Sequence, residues 1–317
     1  MQCIKPLKSG FDRTGDLTYS SKTLSNELVS FEFRCRKCLA CRLNIAREKA
    51  VRCVHEASQH ENNIFLTLTY DDPHLGDGRL NYLDFQLFMK RLRDSVQRNI
   101  TDPELKQKFA ISYMVTGEYG DKTKRPHWHA IIFNYRPSDD KKKYTTDDNQ
   151  QVYSSEDLNS LWGKGQTEFG SVTLESAGYV ARYAAKKLSH GKDQDHNYHP
   201  IHKTSSQNAI GKTWIEKYYK QTFDNGFIIL GGKKASIPRY YIDWLKKYHF
   251  DEYIKFITGI RKETIKLVEE TNRRDEIEHL TNIANYAGNC GYPLKKPGVK
   301  HTILKQKFKQ LQERLKL

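Results

Sequence analysis

Two stretches of this chain alternate with the two-residue period of a β-strand and are separated by only a short connection. The first, FAISYMVTGEYG, puts Phe109, Ile111, Tyr113 and Val115 on one face and Ser112, Met114, Thr116 and Glu118 on the other. The second, HWHAIIF, follows the link DKTKRP. With so short a link an antiparallel hairpin is the simplest reading, and the rest of the fold has to be arranged around it.

Strand and helix patterns flank the hairpin. Leu43, Ala46, Ala50, Val51 and Val54 recur at helical spacing and predict a helix over about 40–58. NIFLTLTYDD reads as a buried strand ending in a turn. Phe85, Phe88, Met89, Leu92 and Val96 fall on one stripe of a second helix, with Lys90, Arg91 and Arg93 largely around it. FGSVTLE is another strand, and Ser176 is placed to cap a helix beginning AGYVARYAAKKL. GFIILGG is a further strand, after which Pro238 suits the first turn of a helix in IPRYYIDWLKKY.

Residues 136–157 are polar and read as an exposed insertion, and 189–213 read as loop. From about 251 the pattern is helical and charged, and residues 295–317 hold eight Lys or Arg against one Glu. That tail suits phosphate contact or a solvated end. The expected fold is α+β: a central antiparallel sheet carrying the HxH strand, flanked by helices, with a basic helical C-terminal extension. Residues 1–250 form one domain, including a Cys-rich segment (1–60) and the polar insertion (136–157); residues 251–317 form the basic helical region.

Charge narrows the partners. Lys plus Arg number 53 against 38 Asp plus Glu, a net +15, which points to a polyanion such as nucleic acid, although surplus surface lysine gives the same balance. MQCIKPLKSG has no apolar signal-peptide core, and nowhere do about 18 apolar residues run together. A cytosolic chain without membrane partners is expected.

On a strand, His127 and His129 project from one face and Trp128 from the other, so the two imidazoles can chelate one ion. A single histidine is more often a packed or surface residue. Glu118, on the preceding strand of the hairpin, is placed to add a carboxylate oxygen opposite the pair. Two nitrogens and one carboxylate leave open positions on a divalent ion, as a catalytic site needs.

In GYVARYAAKK, Tyr179 and Tyr183 stand four residues apart and share a helix face, with Lys186 and Lys187 about a turn further on. A phenol is a poor nucleophile at neutral pH. It can attack a phosphodiester where a metal polarises the phosphate and a lysine offsets the developing charge, leaving a phosphotyrosine. Taken alone, the pair also fits a packed aromatic stripe.

Cys35, Cys38 and Cys41 have CxxCxxC spacing, and Cys3 is the candidate fourth thiolate for a closed structural zinc site. An iron–sulfur cluster and free thiols are the alternatives; a bacterial ferredoxin run would need its fourth cysteine where Ile45 stands. Cys53 and Cys290 read as packed thiols.

FLTLTY (65–70), GEYGDKTKRPHWHAIIF (117–133) and YVARYAAKK (179–187), in this order, resemble the motifs of the HUH endonucleases. Within them the chain is most similar to the replication initiators of small single-stranded DNA phages of the microvirus type, especially gokushovirus-like ones. CRKCLACRLNIAREKAVRCVHE (35–56) also resembles the cysteine segment of the gokushovirus-like members, whereas SIPRYYIDWLKKY matches more weakly.

The resemblance implies a sheet that carries the metal pair His127 and His129, and nucleophiles at Tyr179 and Tyr183. It also implies a helix lysine at Lys186 or Lys187 and Mg²⁺ or Mn²⁺ as catalytic ion. The third ligand varies in the family, so Glu118 is assigned by position. One tyrosine would nick a single-stranded origin in the phage replicative form and free a 3′ hydroxyl for polymerase, and the second would cut the regenerated origin and let the circle close. No Walker-type glycine loop is present, so a host helicase in the bacterial cytoplasm would separate strands. The rival readings are a non-catalytic basic nucleic-acid binder and a metal-dependent nuclease that uses water.

Overall fold

The computed structural model describes residues 3, 5–11, 17–19, 31–120, 123–147, 149–173, 176–178, 180, 201–205, 208–286 and 296–314. The chain divides into two compact units, residues 46–256 and a second made of 1–45 with 257–317.

The smaller unit begins with three short strands, β1 (Leu7–Phe11), β2 (Leu17–Thr18) and β3 (Phe31–Phe33), in the antiparallel order β2-β1-β3. Helix α1 (Leu39–Ala57) follows. The unit also holds the charged helices Lys262–Tyr286 and Lys296–Arg314, where Lys300 Nζ lies 3.3 Å from an Asp275 carboxylate oxygen.

The larger unit is built on seven strands: β4 (Asn63–Thr69), β5 (Ser112–Tyr119), β6 (Pro126–Phe133), β7 (Lys141–Thr145), β8 (Gln151–Ser154), β9 (Thr167–Ser171) and β10 (Ile201–Thr204). Their order is β10-β5-β6-β4-β9-β8-β7, and every neighbouring pair is antiparallel. The expected hairpin is β5–β6, at the middle of the sheet.

Alternation along β6 divides the core. Trp128, Ala130 and Ile132 face Ile64, Leu66 and Leu68 of β4, Phe85, Phe88, Met89 and Leu92 of α2 (Tyr82–Gln97), and Leu158 and Trp162 of α4 (Glu156–Trp162). Between these two helices lies the short α3 (Pro103–Lys108). On the opposite face Ile131 and Phe133 join Met114, α1 residues Ala46, Ala50 and Cys53, and Ala177, Val180 and Ile210. Full burial of one such large apolar side chain is worth about 1.5–3 kcal/mol, so both faces are committed and the strand cannot rotate between them.

Gly117 is the cross-strand partner of Trp128, and a Cβ there would lie 2.6 Å from the indole ring. Only glycine leaves room for the tryptophan. The indole Nε1 donates to Tyr70 Oη at 2.9 Å and Tyr70 donates to Asp84 at 3.1 Å, so the polar tips of both rings are satisfied inside the core.

Several expectations are revised. The strand of the FAISYMVTGEYG segment starts at Ser112, because Asp102 caps α3 and Phe109 ends it. The polar stretch 136–157 contains the β7–β8 hairpin, which extends the sheet through Tyr153 opposite Phe169; β7 is exposed on both faces and therefore lacks apolar alternation. Residues 201–204 are not loop but the edge strand β10 on β5. Ser176 is helical rather than the cap. Its amide donates to Thr173 Oγ1 at 3.1 Å while its Oγ accepts from the Thr173 amide at 2.8 Å, a reciprocal arrangement that makes Thr173 the N-cap.

Candidate metal centre

The register of the hairpin builds the centre. Glu118 is the cross-strand partner of His127, and Thr116 of β5 and Thr67 of β4 are the partners of His129 on its two sides. Glu118, His127 and His129 therefore project from one face, opposite Trp128. Glu118 Oε1 lies 2.8 Å from His129 Nε2 and 3.4 Å from His127 Nε2. The two rings meet edge to face at a centroid separation of 4.9 Å.

Each ring is held from behind. His127 Nδ1 is 3.3 Å from the Arg125 carbonyl, and His129 Nδ1 is 3.0 Å from Thr67 Oγ1. With Nδ1–H donated to those oxygens, Nε2 keeps its lone pair and points at the carboxylate. Phe65 stacks on the His129 ring at 5.7 Å and fixes its plane. Burial by itself would raise the Glu118 carboxyl, but hydrogen bonds and charge from His127 and His129 outweigh it and hold the group at about 2. Glu118 is thus a carboxylate at any ordinary working pH.

These three side chains fit a divalent cation. Their ligand atoms all lie within 4.8 Å of one another, and the two observed N···O separations bracket the roughly 3.0 Å between adjacent positions of an octahedron with bonds of about 2.1 Å. Three protein ligands leave positions open for phosphate oxygen or water.

Tyr179, Tyr183, Lys186 and Lys187 lie outside the described residues, as does Cys290. Their nearest described neighbours are informative. Ser176–Gly178 and Val180 are helical, and Ala177 and Val180 are fully buried beside Met114, Ile131 and Phe133. That is the sheet face from which His127 and His129 project.

Cys3, Cys35, Cys38 and Cys41 form a second cluster, with all four sulfurs within 4.8 Å of one another. Cys3 Sγ lies 3.5 Å from Cys35 Sγ and 3.9 Å from Cys38 Sγ, and the amides of Cys35 and Cys38 donate to the sulfurs of Cys3 and Cys35 at 3.3 Å. Cys53 is a separate, fully buried thiol against Met114 Sδ at 3.6 Å.

An antiparallel sheet with a carboxylate and two histidines on one face, in a strongly basic chain, belongs with proteins that handle phosphodiesters. A family model described as replication-associated protein ORF2 matches residues 63–188, the span from β4 past the histidine pair. The chain belongs to the phage replication-associated proteins. It is 55% identical to the replication-associated protein VP4 of Bdellovibrio phage phiMH2K across the full length of both. The replication-associated protein ORF4 of Chlamydia phage 1 is 37% identical over 69% of this chain and 54% of its own length. For the replication-associated protein ORF2 of Spiroplasma virus 4 the figures are 28%, 91% and 93%. No solved structure matches. Among the described residues no helix is long and apolar enough to cross a membrane.

The sequence pattern did not single out Thr67, Phe65 or the Arg125 carbonyl. Alternation in FLTLTY puts Phe65, Thr67 and Thr69 on one face, but only the β4–β6 pairing, across more than 60 residues, brings that face to the histidines. His202 was likewise hidden in an apparent loop; as the partner of Thr116 it lies on the same sheet face. Thr67→Val keeps the shape and removes the oxygen that orients His129. Loss of such a supporting bond is expected to weaken Mn²⁺ binding by about 10–100-fold, measured by calorimetry; unchanged affinity would show that Phe65 alone aligns the ring.

Proposed function

We propose that this chain is a sequence-specific single-strand DNA endonuclease and strand transferase that initiates rolling-circle replication through a covalent 5′-phosphotyrosine. The observation that carries this reading is the Glu118–His127–His129 cradle, set on the same sheet face against which the helix start at 176–180 packs. The chain's net charge of +15 and its membership of the phage replication-associated proteins support DNA at the phage origin as its substrate.

Glu118, His127 and His129 would hold Mg²⁺ or Mn²⁺, which when bound polarises the scissile phosphate. The residues of the chain do the rest. Tyr179 or Tyr183 loses its phenolic proton to solvent as its oxygen bonds to phosphorus, and the P–O3′ bond breaks. The freed 3′ oxygen takes a proton and becomes the primer end. Lys186 or Lys187 offsets the negative charge gathered on the phosphate. One ester replaces another, so rejoining needs no ATP, and the second tyrosine can accept the regenerated origin while the first strand is released as a circle. Residues 1–250 serve as the nicking and joining domain, and the basic residues 251–317 add phosphate contacts. A host helicase and polymerase in the bacterial cytoplasm would supply unwinding and synthesis.

The test is a denaturing gel of the purified chain with a labelled single-stranded origin oligonucleotide and Mn²⁺. A protein–DNA adduct is expected, abolished by EDTA and by Tyr179→Phe combined with Tyr183→Phe. An undiminished adduct in the double variant would refute the tyrosine assignment. Free cleaved DNA without adduct would indicate water as nucleophile, and binding without cleavage a non-catalytic DNA protein.

A further inference from the structure

Residues 1–45 raise a folding problem of their own. Their strands are 5, 2 and 3 residues long, and a sheet of that size is marginal without an apolar face to bury. Among the described residues of this segment the buried apolar side chains are Ala40 and Cys41, while Leu7, Tyr19 and Phe33 are exposed at 49%, 63% and 41%. What closes the segment is the knot of sulfur.

We infer that Cys3, Cys35, Cys38 and Cys41 bind one Zn²⁺ in a closed tetrathiolate site that takes the place of a hydrophobic core for residues 1–45. In a tetrahedron with zinc–sulfur bonds of about 2.3 Å the sulfurs stand about 3.8 Å apart. The Cys3–Cys35 and Cys3–Cys38 separations of 3.5 and 3.9 Å fall on either side of that value. The four sulfurs are free thiols. Amide N–H groups from Cys35 and Cys38 already point at sulfur, as suits ligands that carry negative charge.

Binding exchanges four S–H bonds for four Zn–S bonds and releases four protons, and no oxidant is involved. The ligands come from two places, Cys3 before β1 and the CxxCxxC run that enters α1, so one ion ties the beginning of the segment to its end. Four protein ligands leave no position for substrate. The site is structural, and it stands apart from the nicking chemistry.

The full chain, purified without chelator, is expected to carry one zinc per chain by elemental mass spectrometry. Dialysis against EDTA sufficient to stop Mn²⁺-dependent cleavage should leave that zinc in place. Cys38→Ser should lose most of the zinc. Because that variant could misfold, Co²⁺ added to the metal-free wild type supplies a second readout: the strong visible bands of tetrahedral cobalt thiolate. Removing zinc with a thiol-specific mercurial should open residues 1–45 to protease while fragments of 46–256 persist. Zinc-free protein with four freely titrating thiols, iron in place of zinc, or an unchanged protease pattern after zinc removal would each overturn the inference.

Discussion

His129→Ala is expected to lower the rate of covalent adduct formation by about a thousandfold. The ion held at Glu118, His127 and His129 is asked for several kcal/mol of charge stabilisation, and about 4 kcal/mol corresponds to three powers of ten. His129 makes the shorter contact to Glu118, 2.8 Å against 3.4 Å for His127, and has its own support in Thr67 and Phe65, so its loss dismantles the better-organised half of the centre. The measurement is a single-turnover adduct assay beside a Mn²⁺ titration; full activity with unaltered metal binding would remove this centre from the chemistry.

The metal-free variant carries a further signature. Glu118 is held at about 2 against an ordinary 4.5, so its ion-paired contribution to stability is present above the unfolded value and is lost as pH falls through the folded one. Removing His129 brings the folded value back towards 4.5. The part of acid unfolding that belongs to Glu118 should therefore move to higher pH, followed by circular dichroism.

Trp128→Ala is expected to cost about 3–5 kcal/mol of stability, the range for emptying a large aromatic site. Trp128 is fully buried, its ring packs 5.7 Å from Phe85 and 6.2 Å from Tyr82, and its Nε1 donates to Tyr70. Nothing adjacent can fill the space cheaply, since the backbone opposite is Gly117 in a paired strand. Urea denaturation reads the loss. A cost under about 1.5 kcal/mol, the usual limit for volume-conserving swaps, would mean that the core collapses around the vacancy.

Much of the sheet was legible because its signals are local. The alternation of Ser112–Glu118 and His127–Phe133 and the short link between them specify a hairpin, and a hairpin already brings Glu118 opposite His127. The α2 stripe of Phe85, Phe88, Met89 and Leu92 was equally plain, since a 3.6-residue period needs no knowledge of the partner. What stayed hidden depends on pairing between distant segments. Neither β10 nor β7–β8 has an apolar period, because an edge strand with polar surroundings needs none. Thr67 became a supporting residue only when β4 was laid beside β6. The Ser176 cap was misjudged by one turn because Thr173 and Ser176 can both accept an amide, and the reciprocal bonds decide between them. The cysteine cluster lay between these cases: CxxCxxC was visible, but the arrival of Cys3 beside Cys35 is a matter of three dimensions.

The division of labour along β6 has an evolutionary corollary. Neighbouring positions answer alternately to two unrelated demands, ion chelation and interior packing, so a single inserted or deleted codon within 126–133 would swap them all at once and forfeit both. Gene-length drift in this lineage should therefore collect in the outlying 136–155 hairpin, whose β7 strand is solvated on both sides, and spare the strands that frame the histidines.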